Sequence, residues 1–330
     1  MDRNSNLDLL RVISMINIVF LHVVAFYSTS APFDSGEFVS WFIKTLNYSL
    51  FWSVPLFLML SGSLLLNKFH EPTSVFYAKR LHKVLIPTAF WSFVYLIYLY
   101  FERDFSLFNI IGALLKGKPY YHLWFMFAII GIYLFTPYLR VLVQNLHQPQ
   151  LKHLILLIFI FVFGNNYIGW YFHNQENIFS QFISYIGYFL LGYYLMNDKE
   201  KLLRFKSYYL PLFILSTLLV SLATVIEKDI YHIGVPTNAR WTPFVFIESV
   251  SLFLYFITRD IRIKHSDTLK KAAGYSFGIY LIHPAIIELF STRLTLPLIE
   301  YLPIYFMLIL IICYGAVFIL HKIKYLNKIV

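Results

Sequence analysis

The stretch LDLLRVISMINIVFLHVVAFY, residues 7–27, decides the fold because it is apolar over nearly its whole length. A run of about twenty apolar residues is long enough to cross a bilayer as one helix. The run also contains Asp8, Arg11 and His22. Arg11 and His22 are almost three helical turns apart, so both side chains project from nearly the same face, separated by about 16 Å along the axis. An imidazole is costly in the hydrocarbon region of a membrane, so we expect His22 to have a function.

The composition extends this picture to the whole chain of 330 residues. Hydrophobic residues make up 59% of it and charged residues 13%, and the mean hydropathy is +0.65, which together exclude a soluble globular protein. In a soluble protein the formal net charge of +10 would suggest nucleic acid. Here the charges lie in short segments between apolar runs, so they indicate orientation in a lipid bilayer, and no nucleic-acid partner is expected.

The apolar runs predict an all-α, polytopic integral membrane protein with about ten transmembrane helices in a single domain, residues 1–330, and no appended soluble domain. Pro55 and Ser61-Gly62 favour a kink or break in the second span. The apolar stretch from Phe105 to Leu115 is too short to cross and is expected to lie in the interface or to dip into the membrane. The predicted spans are residues 8–28, 39–66, 84–101, 121–143, 153–171, 179–196, 208–226, 241–258, 272–290 and 300–320.

The lysines and arginines predict the orientation of these spans. With the N-terminus inside, 20 of the 27 basic residues fall on the inner side, so both termini are predicted to be cytoplasmic. The seven basic residues on the outer side are Lys44, Arg103, Lys116, Lys118, Lys228, Arg240 and Arg293.

Five segments carry a family resemblance. They are LDLLR at 7–11 followed by His22, VPLFLMLSG at 54–62, KRLHKVLIP at 79–87, HLWF at 122–125 and YSFGIYLIHP at 275–284. In this order they resemble the membrane-bound acyltransferase family 3, whose hallmark is a basic residue, ten intervening residues and a histidine. The resemblance covers essentially the whole chain and is closest to short members that O-acylate cell-envelope glycans. Lys83 stands where the second arginine of the family's basic R-x-x-R loop usually lies, and Val12 stands where the family commonly has glycine.

The resemblance implies a membrane O-acyltransferase, most simply an O-acetyltransferase, in the inner (cytoplasmic) membrane. Its donor would be cytosolic acetyl-CoA or another short acyl-CoA, used as a substrate, with no permanently bound cofactor. Its acceptor would be a hydroxyl of a cell-surface polysaccharide or of a lipid-linked sugar. The rival interpretation is a membrane transporter that exports a glycan or a small solute along a polar path.

The catalytic residues predicted on this basis are His22, Arg11 and Asp8. A neutral imidazole suits either a general base or a transient acyl carrier, whereas the alternative role for His22 is to hydrogen-bond helices together. Arg11 would grip a phosphate or carbonyl of the donor, or else extend to the headgroups as an orienting charge. Asp8 is expected to pair with Arg11 at i,i+3. Arg80 and Lys83 are expected to bind the donor phosphates, with membrane orientation as the alternative.

Four further residues are candidates for the acceptor side. His122 and Trp124 begin the fourth span at the predicted outer face, where anchoring in the membrane interface is the simpler alternative. Glu248 lies in an apolar span, where a carboxylate needs a partner. His283 lies within a span and precedes Pro284, so a structural kink is its simpler explanation. No metal-binding or nucleotide-binding motif occurs in the sequence, and no metal is expected.

Overall fold

The computed structural model describes residues 5–30, 36–103, 105–172, 177–226, 239–240, 242–293 and 301–330, and within these ranges the chain is helical with no strand. The predicted all-α fold class is therefore confirmed. The helices are α1 Ser5–Ser30, α2 Gly36–Tyr48, α3 Ser53–Leu65, α4 Thr73–Phe76, α5 His82–Glu102, α6 Leu107–Leu115, α7 Trp124–Asn145, α8 Gln148–Tyr171, α9 Ile183–Asn197, α10 Lys199–Leu202, α11 Tyr209–Val225, α12 Pro243–Thr258, α13 Ser266–Arg293 and α14 Leu302–Lys322.

The predicted number of ten spans is not confirmed. Among the described residues, seven helices are long and apolar enough to cross a membrane, and an eighth span results if Lys199–Phe205 and Tyr209–Val225, which meet at 76°, count as one. α9 and α12 occupy the other two predicted positions but have only 15 and 16 residues, fewer than the roughly twenty that an untilted crossing needs. Residues 241 and 300, which open the eighth and tenth predicted spans, lie outside the described residues.

The second span is broken, but not where the sequence placed the break. A turn at residues 49–52 separates α2 from α3, and Pro55 follows in the first turn of α3. Proline is tolerated there because the first N–H groups of a helix have no intrahelical acceptor. Ser61-Gly62 lies inside α3, so the glycine is used for packing rather than for a kink.

The basic segment at residues 79–83 is helical, which corrects the expectation of a loop. It lies in a span that is continuous from Thr73 to Glu102, so the third span begins earlier than predicted. Residues Tyr77–Leu81 form a π-helical turn, and α5 follows without interruption. Such turns are rare insertions in α-helices and occur often at functional sites.

The described chain divides into two compact units. The first comprises Met1–Phe57 and Lys199–Lys322, and the second comprises Leu58–Asp198 and Ile323–Val330. In the first unit α1 is the central helix, because it contacts α2, α12, α13 and α14. No side chain of α1 described between residues 5 and 27 is exposed. This burial explains why α1 is apolar on all sides rather than on one stripe.

The second unit contains α5 to α9, and glycines bring α3 and α9 together. A Cβ atom on Gly192 would lie 2.0 Å from the carbonyl oxygen of Met59, and one on Gly62 would lie 1.8 Å from that of Phe189. Both helices therefore approach through backbone at a crossing that only glycine allows, as is common between membrane helices. The short helix α6 begins at its N-cap Ser106 and exposes Phe108 and Leu115 among other apolar side chains.

Candidate active site

The centre of the candidate site is a pair of histidines in the first unit. Nδ1 of His22 on α1 lies 2.7 Å from Nε2 of His283 on α13. The two rings are nearly parallel, with centroids 4.9 Å apart and an interplanar angle of 13°. His283 is completely buried and His22 is half-buried. The pair thus places two titratable nitrogens in direct contact within apolar helices.

The local sequence of α13 positions His283. The helix continues through Pro284, which lacks the N–H that would otherwise bond to the carbonyl of Tyr280. One residue earlier, the Ile279 carbonyl lies 3.1 Å from Nδ1 of His283. The imidazole is therefore held between its own helix backbone and His22, and the predicted kink is not the whole explanation for this residue.

A positive charge also acts on His22. The guanidinium of Arg240, in the segment before α12, interacts electrostatically with His22 and with the phenol of Tyr280. Its Cζ lies 5.0 Å from the centroid of the Phe51 ring. A fixed positive charge near a reacting carbonyl can stabilise the negative charge that develops on its oxygen. Sequence reasoning counted Arg240 only as an orienting charge.

Arg11 and Asp8 form the pair that their spacing predicts. Nη1 of Arg11 lies 3.6 Å from Oδ1 of Asp8, whose side chain is buried. The polar stripe of α1 faces protein, since Met15 on the same stripe is also buried. Arg11 lies about three turns from His22, so the ion pair and the imidazole are separate along the same helix.

Glu248 has a partner that the sequence did not identify. Its side chain is completely buried on α12, and Oε1 accepts a hydrogen bond from the hydroxyl of Thr217 on α11 at 2.7 Å. This hydrogen bond is compatible with two roles for Glu248: a structural contact between α11 and α12, or part of the polar path of a transporter.

The predicted donor residues belong to the second unit. Arg80 is half-buried in the π-helical turn, and Lys83 is exposed in the first turn of α5. Close by, Glu71 accepts a hydrogen bond from Nη2 of the buried Arg140 at 3.0 Å and lies 3.9 Å from Nζ of Lys79. One carboxylate is thus surrounded by several cations.

The electrostatics of Glu71 show the excess of positive charge. Burial alone would raise the pKa of its carboxyl group. The hydrogen bond and charge of Arg140, together with the charges of Lys68 and Arg80, outweigh burial, and the pKa is lowered from its ordinary value of 4.5. Such a surplus of cations suits an anionic ligand.

His122 lies in an aromatic cluster of the second unit. It is buried in the turn before α7, with the ring of Tyr95 at 5.2 Å and that of Tyr121 at 5.5 Å, both edge-on. Trp124 begins α7 and contacts the ring of Tyr185 at 5.3 Å. The burial of His122 disfavours a role as an anchor in the membrane interface, because such an anchor keeps its polar end in water.

The sequence profile of the acyltransferase 3 family, described as an acyltransferase domain, matches residues 4–321. The chain belongs to this family. Its multiple apolar helices and its family membership make it a multi-pass membrane acyltransferase.

Two curated relatives of this acyltransferase, from Staphylococcus epidermidis and from a named strain of that species, both bear the name "Probable poly-beta-1,6-N-acetyl-D-glucosamine export protein". Each is 23% identical over 270 residues, covering 77% of this chain and 72% of the relative. No solved structure matches the chain.

The structure of this acyltransferase brings some predicted site residues together and leaves others apart. His22 meets His283, and Arg11 meets Asp8, whereas Glu248 meets Thr217. Arg80, Lys83, His122 and Trp124 belong to the second unit. In the described part of the chain, no group of three or more His, Cys, Asp or Glu side chains could hold a metal ion.

The contact between the histidines was missed because the two residues are 261 positions apart. A usable signal was nevertheless present. Each histidine lies 17 residues after the first residue of its helix, Ser5 for α1 and Ser266 for α13. The predicted orientation makes both spans begin on the inner side, so this equal spacing would place the two histidines at similar depth.

Proposed function

We propose that this membrane acyltransferase moves an acyl group, most simply acetyl, from cytosolic acyl-CoA to a hydroxyl of a cell-surface polysaccharide or lipid-linked sugar. We place it in the inner (cytoplasmic) membrane with both termini cytoplasmic. The observation that supports the proposal is the 2.7 Å contact between His283 and His22, which lies on the central helix of the first unit. The family of acyltransferase domains supplies the reaction class.

In the proposed reaction His22 is the general base. It takes the proton of the acceptor hydroxyl while the hydroxyl oxygen attacks the thioester carbonyl and forms the new C–O bond. The C–S bond then breaks, and the proton passes from His22 to the departing thiolate. The products are the O-acyl ester and free CoA thiol, with His22 neutral again. If His22 instead carries the acyl group, the same nitrogen is the nucleophile.

The donor is proposed to bind through its phosphates to Arg80 and Lys83. Support comes from the surplus of cations around Glu71, which includes Lys79. Several phosphates in acyl-CoA match several charge-assisted contacts. Lys83 supplies a point charge rather than the two-pronged guanidinium of the family's usual arginine.

The acceptor is proposed to be a glycan, with His122 and Trp124 on its side of the protein. The name of the two curated relatives, which refers to a polymer of N-acetylglucosamine, supports a sugar. Tyr121 is exposed and Trp124 is partly exposed, so their rings could stack on a sugar.

The proposal is tested by acyl transfer from labelled acetyl-CoA in purified, bilayer-reconstituted protein. His22→Ala should lower the rate by roughly 10²- to 10⁴-fold, the usual contribution of a positioned base. Ser14→Ala, at a buried position of the same helix, is the matched control and should retain its rate. Labelled protein trapped on His22 in the absence of acceptor would identify an acyl carrier. Near-normal transfer by His22→Ala would make the histidine a packing residue.

Export of a glycan is the second candidate function, and the name of the relatives favours it. A transporter and a transferase differ in what they do to acyl-CoA. The transferase releases CoA thiol in proportion to acceptor modified, whereas an exporter moves glycan across proteoliposomes without releasing thiol. Transport without thiol release would replace the proposed reaction.

A further inference from the structure

Three groups lie in one line of polar contacts. The Ile279 carbonyl oxygen lies 3.1 Å from Nδ1 of His283, and Nε2 of His283 lies 2.7 Å from Nδ1 of His22. A carbonyl oxygen only accepts hydrogen bonds, whereas each imidazole nitrogen either donates or accepts according to its tautomer. The carbonyl at one end therefore determines where the protons lie along the line.

The protons can be assigned in order. Nδ1 of His283 must carry hydrogen, because its lone pair would otherwise face the lone pairs of the Ile279 oxygen. In a neutral imidazole the second nitrogen is then an acceptor, which makes Nε2 of His283 accept from His22. Nδ1 of His22 must donate across the 2.7 Å contact. The unprotonated nitrogen of a neutral His22 is therefore Nε2.

We infer that His283 is a positioning residue that fixes the tautomer and ring orientation of His22, so that Nε2 of His22 is the nitrogen that accepts the proton or the acyl group. This inference rests on the proposed function for its consequence in catalysis. A partner of this kind commonly sets the tautomer of a catalytic or metal-binding histidine. It differs from the sequence-based expectation that His283 lies on the acceptor side.

The same contact also serves the charged state of the reaction. When Nε2 of His22 takes the hydroxyl proton, the imidazolium keeps its Nδ1–H directed at Nε2 of His283. A hydrogen bond from a cation is stronger than one between neutral groups, so His283 stabilises the intermediate without receiving the proton itself. The proton leaves from Nε2 to the thiolate, and the line of contacts returns to its starting state.

The first test measures kinetics in three variants. His283→Leu removes the acceptor and should lower kcat by about 10²- to 10⁴-fold, as loss of tautomer control does in other histidine bases, with the KM for acetyl-CoA unchanged. His283→Gln keeps a side-chain oxygen able to accept from His22 and should recover kcat to within about tenfold of the original. His321→Leu is the matched control, since Nδ1 of His321 makes the same contact with the carbonyl of Val317 on α14, at 3.2 Å.

The second test reads the tautomer directly and needs no activity. In protein labelled with ¹⁵N-histidine, the His22 resonances, assigned by their loss in His22→Gln, should show a protonated Nδ1 and an unprotonated Nε2. In His283→Leu this preference should disappear, and in His283→Gln it should persist. A protonated Nε2 in the original protein, or full kcat in His283→Leu, would overturn the inference. If His22 shows the fixed tautomer but the protein transfers no acyl group, the positioning role of His283 is supported and the proposed function is rejected.

Discussion

Removing Glu71 should destabilise the second unit more than removing its partner Arg140, although the two residues form one ion pair. The guanidinium of Arg140 is 5% exposed and the carboxylate of Glu71 is 13% exposed. Arg140 also donates from Nε to the carbonyl of Leu65 at 2.9 Å and lies over the ring of Phe76. Among the described contacts, the Glu71 carboxylate is the only acidic partner of the Arg140 guanidinium. Glu71, in contrast, has Lys79 as a second cationic partner.

The magnitudes follow from what each substitution leaves behind. Glu71→Ala leaves a buried guanidinium without a counter-charge among neighbouring cations, a change that costs about 3–5 kcal/mol of unfolding free energy. Arg140→Met loses two hydrogen bonds from a charged donor, to Glu71 and to the Leu65 carbonyl, but it also removes the cost of burying the guanidinium, so the net loss should be about 1.5–3 kcal/mol. The methionine side chain fills the space, and Glu71 keeps Lys79 nearby. The double variant Glu71→Ala/Arg140→Met should be more stable than Glu71→Ala alone, because it removes the unpaired charge.

Equilibrium unfolding of the purified protein in one detergent measures these differences. Asp267→Ala is the matched control, since its pair with Lys270 has the same 3.0 Å separation but is exposed, and it should change stability by less than about 1 kcal/mol. The reasoning is refuted if Arg140→Met is as destabilising as Glu71→Ala, or if the double variant is the least stable of the three.

Two further predictions concern the second unit. Gly192→Ala should lower the free energy of unfolding by about 1–3 kcal/mol or more, because the added methyl group would lie 2.0 Å from the Met59 backbone. The control Gly164→Ala has open space around the added methyl group and should be neutral or stabilising. Equal thermal denaturation of the two variants would contradict the close glycine crossing of α3 and α9. The pKa of Glu71 is lower in the folded than in the unfolded protein. Its carboxylate therefore stabilises the fold fully at a pH above 4.5, the ordinary pKa of glutamate, and this stabilisation is lost as the pH falls from 4.5 through the folded-state pKa. The stability difference between the original protein and Glu71→Gln should therefore shrink below that pH, and a difference that grows in acid would show that the pKa shift has the opposite sign.

Hydropathy alone predicted the positions of the helices, because the cost of exposing backbone to lipid forces apolar segments into helices. It did not predict their lengths. α9 begins at Ile183, later than the predicted start of its span at residue 179, and the third span begins at Thr73, within the segment that charge and resemblance marked as a loop. Basic side chains are compatible with the end of a membrane helix when their charged groups reach water, so charge is a weak marker of where such a helix begins.

The candidate site was only partly predictable for a different reason. His22 was found because an ionisable residue is conspicuous in an apolar run, and Asp8 and Arg11 because their contact is local. The contact of His283 with His22 and the electrostatic effect of Arg240 on His22 depend on how distant segments pack, which no local pattern encodes. His283 was obscured further by Pro284, since a proline offers a sufficient structural reason for an unusual residue beside it.

The other polar residues of α1 help to separate the two roles proposed for His22. Asn6 donates to the carbonyls of Phe256 and Arg259 at the end of α12, and Asn17 donates to the carbonyl of Leu50 at 2.8 Å, in the break before α3. Both asparagines thus satisfy backbone oxygens that a helix end or a break leaves without donors, which is what hydrogen-bonding residues do between membrane helices. His22 is different, because it contacts another titratable side chain. An amide would be sufficient to join two helices. A line of two imidazoles that ends on a carbonyl is in addition suited to direct a proton, which supports the chemistry proposed for His22 and a packing role for the asparagines.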